Sequence, residues 1–323
     1  MTDLKPSDDG CHKPLDEPFW EENFFFLAWD ARTSSGFTLH LMSGPHRGCM
    51  EAKGWACVDG HTAASSALTT GAGEVLATRG LTTEIVRPFE KWRMRYEGMG
   101  MAYPAEFTCV PLREGPVPFG FDIEYTARHV PLPWSPQDLD VFPRLTHGRY
   151  EQGGGWKGRV WVGDRDVEST TGLIVRDHSW GPRTITYGEG WWCPMSFGEE
   201  LFVSGQSAIS YDRWTGWMAV VDGDTVTRLD DPMFRCDKPL TYRNYTSATV
   251  RPAPTSPIAD DFQFTGHITI PSMYDALYPA AYIIEDTLST VRWGDRTGYG
   301  NIDYHMASTH PHYDVAVRNV RGW

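Results

Sequence analysis

The sequence predicts an all-β protein of antiparallel strands, on three observations. Apolar residues recur with period two in several segments, two-residue turn signals separate many of them, and helical periodicity is scarce. Trp92, Met94 and Tyr96 alternate with Lys91, Arg93 and Arg95. Phe121, Ile123 and Tyr125 then alternate with Asp122, Glu124 and Thr126, and near the C-terminus Ile302, Tyr304 and Met306 alternate with Asp303 and His305. Each pattern describes a strand with one buried and one wetter face.

Turn chemistry marks the joins. Asp222-Gly223 follows the apolar run Trp217–Val221 and precedes Asp224–Thr227, a hairpin signature, and Asp59-Gly60 and Gly163-Asp164 mark similar turns. The best helical segment is Ser272–Tyr282, which Pro279 limits. Pro131 to Pro143 reads as a connection between two β units, and Pro252 to Pro257 as a loop within the later one. The expected organisation is an N-terminal extension over 1–18, one β domain over 19–160 and a second over 161–323.

Composition narrows the function. A chain of 323 residues with a formal charge of −13 and no basic cluster is a poor partner for nucleic acid or an anionic membrane. No run approaches the roughly 20 apolar residues of a membrane span, and Met1–Pro18 has no apolar core of a secretory signal, so cytoplasmic residence is expected. The six cysteines show no Cys-x-x-Cys spacing and read as reduced thiols. No phosphate-cradling loop is present: Gly153-Gly-Gly155 and Gly71-Ala-Gly73 lack a strand-to-helix context. Fourteen Trp, fourteen Tyr and fifteen Phe suit either a lined cavity or simply aromatic-rich sheets.

Chemistry concentrates in one place, Arg176-Asp-His-Ser-Trp-Gly-Pro-Arg183, directly after the apolar run Gly172–Val175. The motif sits where a strand ends, and a rigid strand end can hold polar groups for work. With it, Lys91-Trp-Arg-Met-Arg-Tyr-Glu-Gly98, Phe121-Asp-Ile-Glu-Tyr-Thr-Ala-Arg128, Gly148-Arg-Tyr-Glu-Gln152 and Gly298-Tyr-Gly300 resemble the double-lipocalin proteins related to carotenoid 1,2-hydratase, tocopherol cyclase and kievitone hydratase. The Asp-His-Ser-Trp-Gly block is the specific part. The resemblance implies two consecutive lipocalin-like antiparallel β-barrel domains, no metal or organic cofactor, and a small hydrophobic substrate that is hydrated or cyclised.

Protonating an alkene needs an acid kept neutral in an apolar pocket. Asp177 is the first candidate, with His178 to share or relay the proton. Arg176 or Arg183 could instead pair with Asp177 and hold it ionised, which suits a base and a dehydratase or isomerase. Aromatic faces would stabilise a cation, and Trp180, Trp156, Tyr150 and either Trp191 or Trp192, which alternation puts on opposite faces, are the candidates, with Tyr125 or Tyr304 to orient a water and His147 at the rim. A bland reading remains beside this one, in which Asp177 and Arg183 form a turn-fixing ion pair and Trp180 plugs a barrel end.

Other groups rank lower. Glu124 either lines a wet cavity or sits on a solvated strand face, and Glu151 is comparable. His305, His310 and His312 share one C-terminal segment, but Pro311 and the lack of a carboxylate beyond Asp314 argue against a metal centre. Ser179 beside His178 is no nucleophile, because adjacent strand residues point to opposite faces. The expectation is a cofactor-independent hydratase, dehydratase or cyclase with Asp177, His178, Arg183 and Glu124 as its acid–base residues, acting on a terpenoid-like molecule. Its rivals are a lipocalin-type binder of an apolar ligand and a pericyclase or isomerase that works by shape. Oligomeric state is open.

Overall fold

The computed structural model describes residues 4–17, 19–70, 76–77, 80–103, 115–134, 147–182, 189–210, 213–230, 233–236, 247–252, 260–274 and 282–307. The chain divides into two compact units between Arg183 and Thr184.

The first unit holds β1 (Trp20–Asp30), β2 (Ser35–Gly44), β3 (Cys49–Val58), β4 (His61–Thr70), β5 (Leu81–Arg87), β6 (Lys91–Tyr103), β7 (Pro116–Ala127), β8 (Leu132–Pro133), β9 (Gly148–Val162) and β10 (Arg165–Pro182). The strand order is β10-β1-β2-β3-β4-β6-β7-β9, and β10 also pairs with β9, so eight antiparallel strands close into a barrel. Closure comes from the pairing of β1 with β10, which runs in register from Trp20↔Pro182 to Trp29↔Leu173. Short β5 and β8 flank it on β6 and β9.

Alternation sets what goes inside. Phe24, Phe26, Phe37, Trp92, Phe121 and Trp156 belong to one buried apolar cluster, and each such side chain removed from water contributes about 1.5–3 kcal/mol. Tight turns let the strands reverse. Asp59 (φ 47°) and Gly60 (φ 77°) form the β3–β4 turn with both residues left-handed, the geometry that matches strand twist. The N-terminal extension is not detached: a 3-10 turn over Pro6–Asp9 precedes β1 and buries Asp9 completely.

The second unit holds β11 (Glu189–Trp192), β12 (Met195–Phe197), β13 (Leu201–Ser210), β14 (Arg213–Asp222), β15 (Thr225–Asp230), β16 (Met233–Cys236), β17 (Ala248–Arg251), β18 (Phe262–Tyr274), β19 (Tyr282–Trp293) and β20 (Arg296–Ala307). They form a sheet ordered β15-β14-β13-β11-β20-β19-β18-β17-β16, with β12 pairing β13 and β20. The hairpin expected at Asp222-Gly223 is β14–β15, Asp222 facing Thr225 across the loop.

Three expectations need correction. The boundary after residue 160 falls inside β9, and the motif-bearing strand β10 closes the first barrel instead of opening the second domain. Leu132 and Pro133 are not a linker between units, because β8 lies on β9 and Trp134 N donates to Arg149 O at 2.9 Å. Ser272–Tyr274 are strand, paired with β19, and the rest of the expected helix up to residue 281 lies outside the described residues.

Among the described residues no helix is long and apolar enough to cross a membrane, and Cys11, Cys49, Cys57 and Cys193 form no disulfide.

Candidate functional site

Strand β10 separates the motif into two faces. Arg176, His178 and Trp180 point inward, where His178 stacks on the core residue Phe24 with ring centroids 4.0 Å apart. Asp177 points outward, its Oδ2 2.5 Å from Arg149 Nε, and Arg149 also pairs with Glu151 at 3.3 Å. Glu151 accepts from the Trp134 indole at 2.9 Å. The expected Asp177–His178 centre is therefore split by the pleat: neighbouring strand residues face opposite ways.

The inward face carries a buried polar cluster whose centre is Asp9. Its Oδ1 accepts from Tyr150 Oη at 2.5 Å and Arg176 Nη2 at 2.8 Å. Its Oδ2 accepts from Trp92 Nε1 at 2.8 Å and Phe89 N at 2.6 Å. Burial alone would raise this carboxyl, but Arg176 and the donors from Tyr150, Phe89 and Trp92 outweigh it and hold Asp9 below the ordinary carboxylate range. Arg176 lies within about 5 Å of the Trp92, Tyr125 and Tyr150 rings, and its Nε and Nη2 donate to Gln152 Oε1. Burial pushes the Tyr125 phenol up to about 12 and Tyr150 well above its usual value. Asp9 also holds Phe89 (φ 58°) through its amide, a left-handed conformation that costs about 1–2 kcal/mol.

Next to this cluster, where β1 begins and β10 ends, lie His12, Glu22 and His178. His178 Nδ1 donates to the Asp8 carbonyl at 2.9 Å, which fixes that nitrogen as protonated because a carbonyl only accepts. Its Nε2 lies 2.7 Å from Glu22 Oε1, and His12 Nδ1 lies 3.0 Å from the same oxygen. Two bare acceptors would repel at 2.7 Å, so the His178–Glu22 contact holds a proton of its own. Burial pulls His178 below its usual value while Glu22 pulls it back up. Burial likewise opposes ionisation of Glu22, but the donors His12 and His178 outweigh it and leave its carboxyl low. The proton belongs to the pair. Trp180 stacks on His12 at 4.0 Å and both are half-buried, so the cluster is reached from that barrel end.

The ligand atoms of His12, Glu22 and His178 lie within 4.8 Å of one another, the described residues best placed to hold a metal ion. Sequence reasoning missed all three of Asp9, His12 and Glu22. Glu22 had a usable signal, since alternation puts it on the same face as Phe24 and Phe26.

The other expected residues scatter. Trp156 packs in the barrel core against Phe37. Glu124 is on the outer face of β7 between Lys91 (2.8 Å) and Lys157 (3.1 Å), whose hydrogen bonds keep its carboxyl low. His147 is exposed and pairs with Glu17 at 2.7 Å. Trp191 and Tyr304 pack together at 4.3 Å in the core of the second sheet. Trp192, adjacent to Trp191 on the same strand, lies in register with Gln206 and Asp303. His305 pairs with Asp303 at 2.7 Å. Arg183, His310 and His312 lie outside the described residues.

The family model of a domain of unknown function, DUF7064, matches residues 5–308. The chain belongs to the DUF7064 family. The match takes in the N-terminal turn with Asp9 and His12 as well as both units of this DUF7064 protein.

Solved structures share its fold. An AttH-type protein of Nitrosomonas europaea aligns at TM-score 0.63 and 14% identity, over 93% of this chain and 96% of its own. Kievitone hydratase from Nectria haematococca aligns at 0.57 and 9%, over 90% and 89%. CghA, solved with Sch210972, aligns at 0.54 and 11%, over 90% and 89%. At these identities the likeness is one of fold. No curated protein matches the sequence.

Proposed function

We propose that this chain is an acid–base enzyme of the hydratase, dehydratase or cyclase kind, acting on a small hydrophobic, terpenoid-like molecule. The observation that carries the reading is the buried 2.7 Å contact between His178 Nε2 and Glu22 Oε1, beside the Phe24 ring, from which we infer a shared proton. One neighbour in fold is named a hydratase, which agrees with the reading.

In the hydrating direction the pair gives its proton to an alkene carbon, and the π electrons form the new C–H bond. The cation left on the adjacent carbon is stabilised by the Trp180 face. Water adds to that carbon, and its surplus proton returns to the emptied pair. Cyclisation replaces water with a second double bond of the same molecule, and the cation this leaves loses a neighbouring C–H proton to the emptied pair. Asp8 and Asp9 act as positioning residues, the first by fixing the tautomer of His178 and the second by anchoring the turn that carries Asp8. Asp177 and Glu124 take no part in this chemistry, since both lie on outer faces of their strands.

The test is incubation of wild type, His178→Gln, Glu22→Gln and Asp177→Asn with terpenoid alkenes and alcohols in heavy-oxygen water, followed by mass spectrometry. A labelled alcohol from wild type, reduced by about 10²-fold or more in His178→Gln and Glu22→Gln, is the expected result. Turnover lost in Asp177→Asn but kept in His178→Gln would move the chemistry to the other face of β10. Tight retention of a ligand with no turnover would make the protein a binder.

A further inference from the structure

We infer that His12, Glu22 and His178 form a binding site for a single divalent transition cation of the zinc class. Their ligand atoms lie within 4.8 Å of one another, with Glu22 Oε1 2.7 Å from His178 Nε2 and 3.0 Å from His12 Nδ1. Two imidazoles and a carboxylate are the donor set that selects zinc, cobalt or nickel over magnesium or calcium. Three protein ligands leave a tetrahedral position for water or another small ligand.

Two further observations point to an ion. The outer nitrogen of each histidine faces Asp8, as the second shell of a metal-binding imidazole does: His178 Nδ1 lies 2.9 Å from its carbonyl and His12 Nε2 3.5 Å from its carboxylate. Glu22 is only 4% exposed, yet its Oε2 is buried with no hydrogen-bond partner. A buried carboxylate oxygen without a donor is costly, and a cation at the triad would satisfy it. One of the three ligands, His12, comes from the segment before β1, as does Asp8 behind both imidazoles, so the barrel strands alone cannot make the site.

The site stands on geometry and does not need the reaction proposed above, but it occupies the same lone pairs. A cation on His178 Nε2 displaces the proton that the pair would donate. Zinc is then an inhibitor of proton donation, reversed by a chelator.

The experiment uses the full chain without an affinity tag, stripped of metal, and titrates zinc against a chromophoric chelator. One equivalent is expected, with X-ray absorption showing nitrogen and oxygen ligands at about 2.0–2.1 Å. His12→Ala, in an extended segment outside the strands, should lower affinity by at least 10-fold, and Asp8→Asn by about 10–100-fold. No uptake, equal affinity in wild type, His12→Ala and Glu22→Gln, or a sulfur-containing shell from Cys11 would overturn the site. Turnover measured in chelator separates the two readings. Uptake without turnover under chelation sinks the acid–base proposal alone, and turnover without uptake sinks the metal site alone.

Discussion

Asp9 shows how much of the first barrel depends on one carboxylate. It offsets the fully buried Arg176, so Asp9→Asn leaves an uncompensated charge and is expected to cost about 3–5 kcal/mol in urea unfolding. Its lowered pKa gives the effect a pH signature. Folding favours the ionised carboxylate, so the contribution is complete above the unfolded value near 3.8 and fades as pH falls through the folded value. Unfolding curves of wild type and Asp9→Asn should therefore differ fully at pH 6, and the gap should narrow as the pH falls below about 3.8. A gap that did not narrow at all on acidification below that value would show that the aspartate acts by packing. At this scale the sequence was half readable. His178, Trp180 and Tyr150 stood out because the motif and its neighbouring strand concentrate polar and aromatic groups. Asp177 and His178 read as one centre in the sequence, although the pleat rule that separates Ser179 from His178 separates these two as well. Asp9 and His12 were hidden because their partners lie far along the chain, and a polar extension gives no period to read.

Strands were the most legible level. Alternation at Lys91–Tyr96 and Phe121–Thr126 located β6 and β7, and dipeptide turns located β3–β4, β9–β10 and β14–β15. The irregularity in β10 was not legible: its register on β9 shifts between Ser169 and Gly172. At Gly172 a Cβ would lie 2.0 Å from Trp156 Nε1, so the bare backbone is what lets that indole pack. Gly172→Ala should destabilise by about 1–3 kcal/mol, read by thermal melting and by the near-ultraviolet signal of the displaced indole. Glu124→Gln is the contrasting case. Its strand face is wet, and its ion pairs with Lys91 and Lys157 contribute about 0–1 kcal/mol. It should keep turnover and melt within a few degrees of wild type.

At the level of the molecule, the sequence made the all-β class visible and misplaced the division. The misplacement has a physical cause. A closed barrel needs its last strand to return to its first, and that pairing carries no local signal in either segment. Two truncations test the corrected division. A chain ending after Arg183 includes β10 and should unfold cooperatively, whereas one ending after Val160 lacks both ladders that β10 makes and should show no cooperative transition in circular dichroism.

The pairing of Trp20–Trp29 with Leu173–Pro182 also bears on how the protein is made. During synthesis β1 can zip to β2 at once, but its other edge, with Phe24, Phe25 and Phe26, waits for some hundred and fifty residues to leave the ribosome. Through that interval the nascent chain presents an open, aromatic strand edge of the kind that recruits a second chain. Yield of native protein should thus depend on how long that edge goes uncovered, which makes elongation speed and holding chaperones, more than final stability, the factors that decide whether the barrel closes on itself or on a neighbour.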